Sequence, residues 1–288
     1  GIAGVELYYQ DVLKGKPGYI LTIGDARDVP LSEFSKAYSP PRNGYTLVLT
    51  IDQTLQHYVE KVADELYQKY KAKRVSIVMM DPHTGEILAL VNRPTYDPNS
   101  IGYEDLKHMR NYAITDLFEP GSVFKVIAAT ALLEEGLVDP KEKIYCERGA
   151  YKIGKRILHD YHPYKWLNFR QVIIKSSNIG VAKFVSRLSQ EDFYKYLKLF
   201  GIGEKTGIDL PGEAKGILRR PYRWTDYSMV SIAIGQEVAV TTLQLAKMMS
   251  LIANGGYDIR PHIVKEIRDE NGIMIRENLY LVNMLRMI

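Results

Sequence analysis

A chain of 288 residues, 46% hydrophobic and 25% charged, can bury a full core in one large domain or two smaller ones. Its net charge of +4 includes no run of five or more like charges, which argues against a dedicated nucleic-acid surface, and no stretch approaches a membrane-spanning length of apolar residues. Cys146 is the single cysteine, which excludes an internal disulfide and a cysteine-rich metal site.

Residues 1–45 are dense in turn signals: Gly15-Lys-Pro-Gly18, Gly24-Asp25 and Ser39-Pro-Pro-Arg-Asn-Gly44. Strand-like runs such as Tyr19-Ile-Leu-Thr-Ile23 lie between them and predict a small β-rich lead-in. Regular structure then begins with Tyr45–Thr50, followed by Asp52 as a helix N-cap. Leu55, Val59, Val62, Leu66 and Tyr70 recur at helical spacing and mark an amphipathic helix. Val75–Met80 and Ile87–Val91 flank Asp81-Pro-His-Thr-Gly85 and predict a hairpin. Their nearly continuous apolar character places them in a sheet covered on both faces.

Ser122-Val-Phe-Lys125 is the first element that points to chemistry. Pro120-Gly121 interrupts the chain ahead of it, and an almost uniformly apolar run ending near Gly136 follows, which predicts a helix buried on most sides. Positions i and i+3 share a helix face with Cβ atoms about 5–6 Å apart, so an amine here can reach the hydroxyl. Burial disfavours the ammonium form and makes such a lysine a usable base for a serine, while the helix start favours negative charge beside Ser122. Roughly one Ser-x-x-Lys arises by chance in a chain of this length, so the pattern alone also fits a helix-start serine and a snorkelling lysine.

Downstream, Gln171–Leu188 predicts one or two helices interrupted near Ser176-Ser-Asn178, and Thr242–Ala253 another, closed by Asn254-Gly-Gly256. Ile263–Ile267 turns at Asp269-Glu-Asn-Gly272 into a second hairpin, and Leu281–Ile288 reads as the start of an apolar helix. Ser176 and Asn178 together offer a proton-relaying hydroxyl and an amide able to hold a carbonyl, although the same residue types are ordinary helix caps. His159-Asp-Tyr-His162 lacks further metal ligands nearby and reads as a polar loop. Strands, a helical block and strands again define an α+β fold, a sheet with helices packed against it.

Asn111-Tyr-Ala-Ile-Thr-Asp-Leu-Phe-Glu-Pro-Gly-Ser-Val-Phe-Lys125 resembles the active-site signature of class B penicillin-binding proteins, the serine transpeptidases of bacterial cell-wall synthesis. Gly4–Tyr8, Leu49–Gln56, Asp81–Ala89, Ser176–Gly180, Thr206–Glu213 and Ile234–Gln244 resemble family elements in the family's order, so the likeness covers essentially the whole chain. The wording ahead of Ser122 is more similar to the cell-division member than to the elongation member.

This resemblance implies a serine β-lactamase/transpeptidase-like fold, with residues 1–45 the remnant of a non-catalytic pedestal domain and residues 46–288 the transpeptidase domain. It implies Ser122 as the acylated nucleophile, its backbone N–H as an oxyanion donor, and Lys125 as the general base, an assignment disputed for Ser-x-x-Lys enzymes. Ser176 would relay the proton and Asn178 would position peptide and lysine. No cofactor or metal is implied. The expected partners are stem peptides of peptidoglycan or its lipid-linked precursor, β-lactams as covalent inhibitors, and a membrane glycosyltransferase with other division proteins. The expected location is the periplasmic face of the inner membrane, through an N-terminal anchor outside this chain.

The family's third motif, Lys-Thr-Gly, normally lies on a strand opposite the serine. Lys205-Thr-Gly207 sits instead in a Gly-rich turn region without strand alternation, so the functional copy is expected beyond Ile288. Binding of substrate by this chain alone is accordingly expected to be weak. A β-lactamase or carboxypeptidase, a β-lactam-binding sensor and a non-catalytic division scaffold are the competing readings.

Overall fold

In the computed structural model, which describes residues 1–21, 23–24, 30–31, 37–277 and 283–286, the central elements follow the apolar periodicity closely. Thr46–Leu49 forms β1, and Gln53–Tyr70 forms α1, whose first turn is closed by the Asp52 carboxylate accepting from Leu55 N–H at 2.9 Å. Val75–Met80 (β2) and Ile87–Arg93 (β3) pair antiparallel from Val75 opposite Arg93, with a bulge between Met79 and Met80.

Both faces of this hairpin are covered, as its composition predicts. Ala89 and Val91, with Val75 and Ile77, pack on Val59 and Ala63 of α1. Val78, Met80 and Leu90 turn the other way, toward a cluster containing Ile114, Ile208, Leu210 and Leu243. The two sets alternate along the strands because successive side chains leave a strand on opposite faces.

The chain then builds a helical block from α2 (Lys125–Glu134), α3 (Phe169–Ile174), α4 (Asn178–Val185), α5 (Gln190–Leu199) and α6 (Ser228–Ala233). Helix α2 passes through its middle. Phe124, Ile127, Ala128 and Leu132 are buried with Ile179, Phe184, Phe193, Leu197 and Ile232 of the surrounding helices, which is why α2 carries no polar stripe. Each large side chain so enclosed contributes about 1.5–3 kcal/mol relative to an exposed position.

Helix α7 (Thr242–Ala253) opens on a reciprocal cap: Thr241 Oγ1 accepts from Gln244 N–H, and Gln244 Oε1 accepts from Thr241 N–H. Val264–Arg268 (β4) pairs antiparallel with β1 and with Met274–Glu277 (β5), the second hairpin. Backbone bonds from Ile87 N–H to His262 O and from His262 N–H to Gly85 O, both 3.0 Å, join the first hairpin to this group.

Two expectations about the chain ends need correction. The lead-in is β-rich only in part: Tyr19–Leu21 pairs with Ala37–Ser39 and Ile23–Gly24 with Pro30–Leu31, but Gly4–Tyr8 and Gln10–Leu13 are helical. Val5, Tyr9 and Val12 recur at helical spacing and pack against the sheet core, and Tyr9 Oη donates to Asp209 Oδ2 at 2.9 Å. Thr22 and Asp25 of the predicted strand and turn lie outside the described residues. Within the predicted C-terminal helix, Asn283–Arg286 is a strand paired with Tyr257–Asp258, whose backbone groups would otherwise be an open edge. The rest of that segment is outside the described residues.

Candidate active site

Four loops converge ahead of α2. The 3-10 turn Gly121–Phe124 leads into the helix, leaving Ser122 exposed while Lys125, the first α2 residue, is only 2% exposed. The Ser122 carbonyl accepts from Lys125 N–H, while its hydroxyl and N–H make no hydrogen bond among the described residues and the residue is exposed.

The segment before Ser122 is held along a neighbouring stretch of chain. Phe118 and Val240 exchange backbone hydrogen bonds at 3.0 Å each, Gly121 N–H donates to Gly235 O at 3.0 Å, and Glu119 Oε1 accepts from Glu237 N–H at 2.9 Å. Glu237 in turn accepts from Ser228 Oγ at 2.8 Å and pairs with Arg219, beside a polar hollow of about 430 Å³.

Gly235 adopts φ +78°, and a Cβ placed there would stand 2.0 Å from the Gly121 carbonyl oxygen and 2.5 Å from its nitrogen. The left-handed backbone and the contact both exclude a side chain. Gly235→Ala is therefore expected to destabilise the protein by about 3 kcal/mol, combining overpacking with backbone strain, and to displace Ser122. Urea unfolding and the rate of β-lactam acylation check this; unchanged values for both would contradict the close approach.

Lys125 Nζ donates to two atoms of Ser176, the carbonyl oxygen at 2.6 Å and Oγ at 2.9 Å. Burial lowers its pKa from the usual lysine range to about 8, against an opposing effect of the Asp160 carboxylate. The structure thus joins Lys125 directly to Ser176, while Ser122 lies one turn earlier with its hydroxyl unengaged. A neutral amine has two N–H groups and one lone pair. With the two N–H groups on Ser176, the lone pair is free for a proton arriving from the Ser122 side.

Ser176 occupies the break between α3 and α4 with φ 54°, an uncommon conformation for a residue other than glycine. The turn is locked by its neighbours. Ser177 Oγ accepts from Gly180 N–H at 2.9 Å as the α4 cap and donates to Asp160 Oδ2 at 2.6 Å. Asn178 Nδ2 donates to the His159 carbonyl at 2.9 Å. Asn178 therefore ties the end of the strand Arg156–His159 to the turn, and no hydrogen bond links it to Lys125 among the described residues.

Asp160, Glu119, Gly235 and Glu237 were not distinguished by sequence reasoning. Asp160 lies within His159-Asp-Tyr-His162, a stretch that reads in the sequence as a polar loop. Among the described residues no group of three or more His, Cys, Asp or Glu side chains could hold a metal.

Lys205–Gly207 is in a loop outside every strand. Glu213 closes it, accepting from Thr206 N–H at 2.6 Å, Thr206 Oγ1 at 2.5 Å and Gly207 N–H at 3.1 Å. Lys205 itself is exposed. The triplet thus has a structural task in its own loop, in keeping with its turn-rich surroundings.

A serine presented at the start of a buried helix, a desolvated lysine and a Ser-x-Asn turn thus lie together on one α+β scaffold. Residues 75–283 match the penicillin binding protein transpeptidase domain, and the chain belongs to that family. It is 35% identical over 274 residues to Stage V sporulation protein D of Bacillus subtilis, an alignment covering 92% of this chain and 42% of that protein. It is 34% identical over 257 residues to the probable peptidoglycan D,D-transpeptidase PenA of Neisseria flavescens, covering 89% of this chain and 64% of the relative. The chain thus spans roughly half the length of these curated relatives. Among solved structures, penicillin binding protein 3 of Mycobacterium tuberculosis complexed with ampicillin superposes with a TM-score of 0.85 at 31% identity, over 100% of this chain and 60% of that one.

Proposed function

We propose that this chain carries the acyl-transfer centre of a peptidoglycan D,D-transpeptidase, with Ser122 as nucleophile and Lys125 as general base. The observation that carries this reading is the buried Lys125 amine, with a pKa of about 8 and both observed hydrogen bonds on Ser176. Ser122 Oγ attacks the carbonyl of a D-Ala-D-Ala peptide bond as its proton passes to Lys125 Nζ. The C–N bond breaks, and Ser176 Oγ relays the proton to the departing D-alanine amine, leaving an ester on Ser122. An amine from a neighbouring stem peptide then attacks the ester, forming the cross-link and releasing the serine.

Helix-start geometry supports an oxyanion at the free Ser122 N–H. Asn178, beside Ser176 at the cleft, positions the peptide. β-Lactams are acylating mimics of the donor, a reading supported by the solved relative complexed with ampicillin. Named transpeptidases among the relatives support a peptidoglycan substrate, and the residues before Ser122 support a division role. That substrate places the domain on the extracytoplasmic side of the envelope. Among the described residues no helix is long and apolar enough to cross a membrane.

The test is to incubate the full-length protein with ampicillin and map the adduct by mass spectrometry of proteolytic peptides. The expected adduct is on the peptide containing Ser122; an adduct on Ser176, or none, would overturn the assignment.

A further inference from the structure

Asp160 is the acidic group that connects the parts of this site. Its Oδ2 accepts from Ser177 Oγ at 2.6 Å, and its Oδ1 accepts from Ile179 N–H at 3.0 Å, so one carboxylate grips both sides of the α4 start. Ser177 is 1% exposed, which shields the first of these bonds from water. Immediately before Ser177 stands Ser176, whose carbonyl and hydroxyl both face the Lys125 amine. His159, the residue before Asp160, supplies the carbonyl that holds Asn178.

We infer that Asp160 is a positioning residue for the Ser122–Lys125 pair: its carboxylate locks the Ser176–Asn178 turn that receives the amine, and it supplies the negative charge that steadies the ammonium formed when that amine takes up a proton. This inference rests on the reading of Ser122 and Lys125 given above. A buried cation without a counter-charge is costly, so an uncompensated Lys125 would be a poor proton acceptor however neutral it were at rest. Asp160 resolves that conflict at a distance, through charge, while its direct bonds go to the turn.

The other ionisable groups around α2 are otherwise engaged or exposed. Arg170 on α3 is exposed, and Lys183 on α4 is paired with Glu147 and the Tyr145 carbonyl. On α5, Glu191, Asp192 and Lys195 are exposed, Lys198 pairs with Glu204, and Tyr196 is bonded to Glu135 at the far end of α2. Helix α6 carries no ionisable side chain, and Glu119 ahead of α2 receives Glu237 N–H. The Cys146 thiol lies 3.7 Å from Ser177 Oγ, and burial pushes its pKa upward, which keeps it neutral. Asp160 is the acidic group whose charge acts on Lys125.

The experiment follows the Lys125 Cε resonance against pH in full-length protein carrying ¹³C-labelled lysine, together with the acylation rate by a fluorescent penicillin. Removing a negative charge disfavours the ammonium, so in Asp160→Asn the Lys125 inflection should fall by about one pH unit. Its plateau acylation rate should fall roughly tenfold or more. Ser177→Ala keeps the charge and should slow acylation with the inflection unmoved. Asp160→Glu also keeps the charge and should leave the inflection near its original place, which gives a readout even where the Asn variant does not fold. A Lys125 inflection unmoved from the parent's in Asp160→Asn, or well below the parent's in Asp160→Glu, would overturn the charge role. A plateau rate within twofold of the parent in Asp160→Asn would overturn the positioning role. The resonance is read without any β-lactam, so a failure of acylation at Ser122 counts against the proposed function and an unmoved resonance against Asp160.

Discussion

Replacing Ser122 by alanine is expected to abolish covalent labelling by penicillins while leaving the melting temperature nearly unchanged. The side chain is exposed and bonds to nothing among the described residues, so its removal takes away no packing or hydrogen bond. The backbone around it is set by Gly121, Phe118 and their partners Gly235 and Val240, none of which the substitution touches. A stable, correctly folded variant without an adduct would separate chemistry from folding. Ser122→Ala that still forms a stable penicilloyl ester would move the nucleophile elsewhere, with Ser176 the next hydroxyl at the Lys125 amine.

The second large effect is expected at Lys125. Methionine there keeps much of the side-chain volume and removes the amine. Acylation should slow by roughly 10²–10⁴-fold, the usual contribution of a positioned acid or base. With a pKa of about 8, roughly a tenth of the molecules carry a neutral amine at pH 7. At an ordinary lysine value of about 10.4, only roughly four in ten thousand would. Lys125→Met should therefore lose the pH-dependent rise in rate as well as its magnitude. Arginine would not substitute, because it stays charged and cannot accept the proton. Stability should change less than activity, since the variant also frees the site from holding a desolvated amine. Ser176 loses a donor in exchange, and its exposed position allows water to replace it. Rates measured under single-turnover conditions with a fluorescent penicillin check this, and a loss below tenfold would contradict a base at this position.

Much of the architecture was legible wherever long periodic segments coincide with local punctuation. Thr242–Ala253 carries its cap and its Asn-Gly-Gly stop in adjacent residues, and the hairpin of β2 and β3 carries both its apolar runs and its turn. The break at Ser176 was readable too, because Ser-Ser-Asn both ends one helix and caps the next. The short N-terminal helices were obscured because their spacing spans barely two turns and gains its stability from docking on a distant core. The C-terminal strand owes its state to an edge that local residues do not reveal.

At the site, residue types disclosed the nucleophile and amine but not their wiring. An i, i+3 spacing allows Lys125 to face Ser122, yet the amine bonds to Ser176, 51 residues away, because the turn there offers it two acceptors, at 2.6 and 2.9 Å. Asp160 and Gly235 were hidden for the same reason: each acts across the fold, one on the Ser177 turn and one on the backbone before Ser122. Neither has a local pattern that distinguishes it from a loop acid or a turn glycine.

The account turns on a buried lysine that accepts the proton of Ser122. The acylation rate of the full-length protein by a non-ionising β-lactam, followed from pH 6 to 10, tests it most directly. Since the neutral amine is the reactive form, the rate should rise with pH, bend near 8 and then level off. A rate independent of pH through this range, or one still climbing at pH 10, would contradict a desolvated Lys125 as the base.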